Sequence, residues 1–224
     1  MVSLWEKFAR YKFSVLFVSL LVFFIIAPLA RMQQYRIMPV LFLVMMLSVI
    51  STLNLHRRWF PLCVSLGLIA FVSHMGGASF DVSLDASDNT FIINLVSLTA
   101  YILFLGISIV ALTGKIFSEQ TVTFETVQGG IAVYFLMGLA WVFLYRLVLL
   151  FDPDALALVN PAAAFPDLVY FSFTTLTTLG YGDNLPVSWM ARNLTILEST
   201  LGQIFLTVLI ARLVGLHITH AARK

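Results

Sequence analysis

Between two long apolar runs of this chain stands Phe171-Ser172-Phe173-Thr174-Thr175-Leu176-Thr177-Thr178-Leu179-Gly180-Tyr181-Gly182-Asp183. It begins in apolar and hydroxyl residues compatible with a helix and ends in an alternating Leu-Gly-Tyr-Gly. Gly180 and Gly182 tolerate φ > 0 without the steric cost of a Cβ, so successive carbonyls can all point to one side of the chain. The flanking sequence decides where such a stretch must sit. The 224 residues are 60% apolar and 11% charged, whereas a soluble domain carries about a quarter charged residues. The apolar runs approach twenty residues in length, which fits membrane-spanning helices rather than the shorter alternating segments of a membrane barrel. The expected fold class is an all-α membrane protein. In such a protein, polar backbone at membrane depth survives only where protein shields it or where it lines a water-filled path.

Six apolar runs follow in order, at residues 13–30, 37–55, 59–75, 91–113, 128–150 and 190–216. The first follows Lys7, Arg10 and Lys12, and its length reads as a retained helix rather than a cleaved leader. Placing the connections alternately puts Lys7, Arg10, Lys12, Arg57, Arg58, Lys115, Arg223 and Lys224 on one side. The other side receives Asp81, Asp85, Asp88, Asp152, Asp154 and Asp183, with Arg31, Arg36 and Arg192 as its main basic residues. The positive-inside rule then gives six transmembrane helices in a multi-pass protein of the cell membrane, with both termini cytoplasmic. The single cysteine, Cys63, excludes an intrachain disulfide and a Cys-based metal cluster. A net charge of +2 does not point to a nucleic-acid partner.

After the polar turn 152–161, Pro166-Asp167 suits a helix start: proline's missing N–H costs nothing there, and the carboxylate meets the positive dipole end. The helix expected over 166–177 is too short to span. Its C-terminal end stops inside the membrane and directs partial negative charge at whatever lies beyond.

Thr-Thr-Leu-Gly-Tyr-Gly-Asp between two long apolar segments closely resembles the signature of potassium channels, with Leu179 where Val is commoner. The resemblance implies four copies of the chain around one axis, with the carbonyls of Leu179, Gly180 and Tyr181 and the hydroxyl of Thr178 stacked as oxygen rings. Those rings replace the hydration shell of K+, and Gly182 completes the filter. Asp183, Pro186 and Arg192 are similar to the Asp…Pro…Arg pattern that follows the filter in simple bacterial two-helix potassium channels. Counting on, Gly202 matches the hinge glycine of their inner helix, and Ala211-Arg212-Leu213-Val214-Gly215-Leu216 looks like its end. The likeness covers about residues 128–216. It implies a pore domain over 127–224 with a re-entrant pore helix, and leaves 1–126 as a four-helix peripheral domain. Two departures bear on the filter. Thr174 stands where a glutamate is usual behind it, and Tyr170-Phe171 where a tryptophan pair is usual, though Tyr170 can still donate a hydrogen bond to Asp183.

Glu198 is the exceptional residue of the sixth run, because a carboxylate at that depth is expensive unless paired. It is expected to brace the filter from behind, paired with Arg146 or hydrogen-bonded to Thr174 or Thr175. A packing reading competes with the hinge reading of Gly202, since small residues let helices approach closely. The run 91–113 contains no Lys or Arg, and each charge moved through 100 mV is worth only about 2.3 kcal/mol. The chain therefore reads as a six-helix member of bacterial type without a charged voltage sensor. The expected function is passive, potassium-selective conduction by a homotetramer in contact with membrane lipids. No catalytic residues and no cofactor are expected beyond K+ as the permeant ion. The alternatives are a non-selective cation channel and a non-conducting regulatory subunit of another channel.

Overall fold

The structure, a computed structural model, describes residues 12–30, 37–53, 60–75, 88–160 and 164–221. It is helical almost throughout: α1 Lys12–Ala30, α2 Ile37–Thr52, α3 Phe60–Met75, α4 Asp88–Ser118, α5 Phe124–Phe151, α6 Ala164–Leu176 and α7 Trp189–Ala221. Two short strands, β1 Leu156–Ala157 and β2 Leu185–Pro186, pair antiparallel with Leu156 opposite Pro186 and Ala157 opposite Leu185. The chain has the all-α character of its apolar runs.

Three helices are long and apolar enough to cross a membrane: Asn89–Ser118, Phe124–Phe151 and Trp189–Ile218. At a rise of 1.5 Å per residue each exceeds the roughly 30 Å of a bilayer's hydrocarbon core. Shorter apolar helices occupy Lys12–Ile26, Val40–Thr52 and Phe60–Val72. Three of the six expected spans therefore meet the requirement of length among the described residues. The fourth run is longer than its apolar residues indicate, because Gly114-Lys115 does not end α4. The fifth begins earlier, at a cap: the Thr126 N–H donates to the Thr123 hydroxyl at 3.2 Å, satisfying one of the unpaired amides of the first turn. Lys7, Arg10, Arg31, Arg36, Arg57, Arg58, Asp81, Asp85, Arg223 and Lys224, on which the expected orientation rests, lie outside the described residues.

The chain divides into two compact units. The first takes in Met1–Val64, Ile107–Phe135 and Thr207–Lys224. There α1 packs on α2 through the edge-to-face pair Phe23–Phe42, with ring centroids 5.0 Å apart, and Phe24 meets Phe135 in the same way at 5.0 Å. The Glu125 carboxylate accepts the backbone N–H groups of Phe13, at 3.0 Å, and Ser14, at 3.2 Å, and the Ser14 hydroxyl as well. Early amides of α1 thus find an acceptor on α5. Lys115 donates to the Thr52 carbonyl at the end of α2 at 3.3 Å and lies over the Phe13 ring. The Arg212 guanidinium of α7 donates to the Glu119 carbonyl at 3.2 Å.

The second unit takes in Ser65–Gly106 and Leu136–Leu206. Tyr101 of α4 stacks on Phe143 of α5 at 4.6 Å, and Phe143 approaches Phe165 of α6. Gly138 of α5 lies beneath the Phe173 ring, where a Cβ would come within 2.5 Å of it. The chain before and after α6 is tied together. Val187 and Ser188 N–H both donate to the Ala155 carbonyl, at 2.8 and 3.1 Å, and the buried Asn184 side chain accepts the Val159 N–H at 2.8 Å.

Candidate functional site

Helix α6 begins close to where the sequence places it, with Pro166 and Asp167 in its first turn. The Asp167 carboxylate accepts the Asn160 N–H at 2.7 Å, so it anchors the preceding turn besides facing the helix dipole. Thirteen residues at 1.5 Å each make about 20 Å, less than a membrane span.

The way α6 ends sets the geometry of everything after it. The Thr178 N–H donates to the Thr175 carbonyl at 2.9 Å, and the Leu179 N–H reaches back to the Thr174 carbonyl at 2.8 Å. This pair of bonds is a Schellman cap, which requires a left-handed residue at its turning point. That residue is Thr178, with φ of 59°. A β-branched residue in this region is a true outlier, costing of order 1–3 kcal/mol. The Thr174 carbonyl also accepts the Gly180 N–H at 3.1 Å. Gly180 then has φ of 52° and Gly182 φ of 80°, the conformation for which glycine is suited. Left-handed residues therefore recur at 178, 180 and 182, with Leu179 and Tyr181 between them.

This hairpin is open. Thr177 through Asp183 are all exposed, Leu179 by 56% and Tyr181 by 67%, and a Cβ built at Gly180 or Gly182 would meet nothing within 4 Å. Beneath it the protein is closed, with Phe171, Ser172, Thr175 and Leu176 buried. Tyr170 stacks parallel on Tyr181 at 6.1 Å, with the Asp183 carboxylate near its hydroxyl. Asp183 accepts the Asn184 N–H at 3.0 Å, and the Arg192 side chain donates to the Pro186 carbonyl at 3.3 Å.

Behind the hairpin α6 meets α7 through two paired positions one helical turn apart. Ser172 meets Glu198, and Leu176 meets Gly202. A Cβ on Gly202 would lie 2.7 Å from the Leu176 carbonyl oxygen, so close packing by itself accounts for a glycine there. Glu198 is fully buried. Its carboxyl oxygens lie 2.5 Å from the Ser172 hydroxyl and 2.6 Å from the Tyr145 hydroxyl of α5, which also points at Thr195.

The expected partners of Glu198 are thus corrected. Neither Arg146 nor Thr174 nor Thr175 bonds to it. Arg146 is buried near Tyr101 of α4, and the Thr174 hydroxyl caps back onto the Phe171 carbonyl at 3.0 Å. Arg146 and Tyr145 are neighbours on a helix, so they project about 100° apart, and the tyrosine takes the inward direction. Ser172 and Tyr145 are the residues that sequence reasoning passed over. The signal for them was the need itself: a carboxyl at depth must find donors, and hydroxyls on facing helices supply them.

Residues 121–217 match the model of a protein family described as "Ion channel". No curated protein and no solved structure matches the chain. The matched segment contains α5, α6, the open hairpin and nearly all of α7. Over residues 121–217 the chain is thus similar to a family of ion channels, and three of its helices are long and apolar enough to cross a membrane.

Proposed function

We propose that the protein is a potassium-selective channel, built from four copies of the chain, through which K+ passes down its electrochemical gradient. The ion is bound by the Thr178 hydroxyl and the carbonyls of Leu179, Gly180 and Tyr181, with Gly182 ending the filter. The observation that carries this reading is the recurrence of left-handed backbone at 178, 180 and 182 on an exposed loop. Alternation of handedness lets consecutive carbonyls share one side of a chain, which a ring of ligands around a dehydrated ion requires. In this reading α6 is a re-entrant pore helix. Tyr170, Asp183, Thr174, Thr175 and Glu198 support the filter, Tyr145 backs it from α5 in the place expected of Arg146, and Gly202 serves as the inner-helix hinge.

The pore domain spans 127–224 and the first 126 residues form a peripheral domain, six crossings in all with both termini cytoplasmic in the cell membrane. The described part of α4 carries only Lys115 and an N-terminal Asp88 as charged residues, which supports a channel without a voltage-sensing helix. The deciding experiment is flux of K+ and of Na+ into liposomes containing only this purified chain. Selective K+ uptake is the expected result. Equal uptake of both ions identifies a non-selective cation channel, and no uptake of either leaves a subunit that conducts only with another channel.

A further inference from the structure

The contacts of Glu198 bear on its chemical state, which the proposed channel function does not specify. Three short oxygen–oxygen contacts join four groups: Tyr145 Oη to Glu198 Oε2 at 2.6 Å, Glu198 Oε1 to Ser172 Oγ at 2.5 Å, and Ser172 Oγ to the Gly138 carbonyl at 2.9 Å. A carboxylate has only acceptors, a carbonyl likewise, and each hydroxyl has one proton. With Glu198 ionised, two protons would have to fill three contacts, and the Ser172 proton would have to choose between two acceptors. A third proton, on Glu198 Oε1, completes the set. Oε1–H then donates to Ser172, Ser172 donates to Gly138, and Tyr145 donates to Oε2.

Charge leads to the same result. The carboxyl is fully buried. The groups bonded to it are Tyr145 from α5 and Ser172 from α6, themselves in contact with Thr195 and the Gly138 carbonyl, and among the described residues no cation bonds to it. An unpaired buried carboxylate at this depth is costly, whereas the neutral acid is satisfied by the hydroxyls present.

We infer that Glu198 is a neutral carboxylic acid whose bound proton clamps α6, the helix bearing the hairpin, to α5 and α7 through Ser172, Gly138 and Tyr145. Glu198 is a positioning residue. Its hydrogen bonds go to Tyr145 and Ser172, and it acts through Ser172, six residues before Thr178. This role rests on the reading of 178–182 as the conducting element, while the protonation does not.

The test joins infrared spectroscopy with flux in the purified, liposome-reconstituted protein. The difference spectrum of wild type minus Glu198→Gln is expected to contain the C=O stretch of a protonated carboxyl. Carboxylate bands in its place would overturn the inference. Glutamine keeps one acceptor for Tyr145 and one donor for Ser172, so Glu198→Gln is expected to retain selective K+ flux. Ser172→Ala, which keeps the acid but removes the bridge to α6, is expected to lose about tenfold, the size of one lost hydrogen-bonded contact. A folded Glu198→Gln protein as impaired as Ser172→Ala would show that the negative charge is needed, and would overturn the clamp. Should the wild type itself pass no K+, the conduction reading fails, and the infrared band alone decides the protonation.

Discussion

At the scale of single residues, the left-handed positions decide most. Thr178 occupies a conformation that glycine holds at Gly180 and Gly182, and it is kept there by the two carbonyl bonds that end α6. The glycines are needed for a different reason from the glycines inside the helices. At Gly180 and Gly182 there is room for a methyl group, so the requirement is one of backbone angle alone. Gly180→Ala should therefore cost about 1–2 kcal/mol in that conformation, and the loop is expected to leave it rather than bear the cost. The expected outcome is loss of the preference for K+ over Na+ in liposome flux, with the protein still folded by size-exclusion chromatography. Unchanged selectivity would argue that carbonyls of this loop do not choose the ion.

At the scale of elements, contacts between helices explain why small or charged residues stand where they do. Gly202 and Gly106 make a controlled comparison. A methyl at Gly202 meets the Leu176 carbonyl, which cannot move without moving the end of α6, while one at Gly106 meets nothing within 4 Å. Gly202→Ala is expected to destabilise by about 1–3 kcal/mol. Gly106→Ala is expected to be neutral or stabilising by up to about 1 kcal/mol. Thermal unfolding in detergent reads both, and a harmless Gly202→Ala would leave the hinge as the better explanation of that glycine. Glu125, in the first turn of α5, explains another charged position, holding two amides and a hydroxyl of α1. Glu125→Ala is expected to cost about 0.5–2 kcal/mol, the range for a lost helix cap. Earlier proteolysis near residue 12 in the variant than in wild type would be the accompanying sign.

At the scale of the whole molecule, α7 poses the question that one copy of the chain cannot answer alone. Its apolar window is only 11% buried, against 61% for α5, and Leu197, Leu201, Ile204 and Val208 lie exposed along it. Apolar helix surface is at ease in lipid, but under the proposed function the exposed hairpin would not be, because its backbone groups would have no water at membrane depth. The proposed assembly of further copies around the hairpin would resolve this, and native mass spectrometry of the detergent-solubilised protein is expected to give four chain masses. A monomer would defeat the channel proposal at its root. The sequence alone determined the chemistry of solvent exposure: near-twenty-residue apolar runs require helices in a membrane, and Gly180 and Gly182 allow left-handed backbone whatever surrounds them. Those are local properties of composition and of a missing Cβ, so they are legible in one dimension. The partners of Glu198 and the close approach at Gly202 were decided only by tertiary structure. Each depends on which face of one helix meets which face of another, and that is settled by the summed packing of α5, α6 and α7 rather than by any stretch of sequence within them.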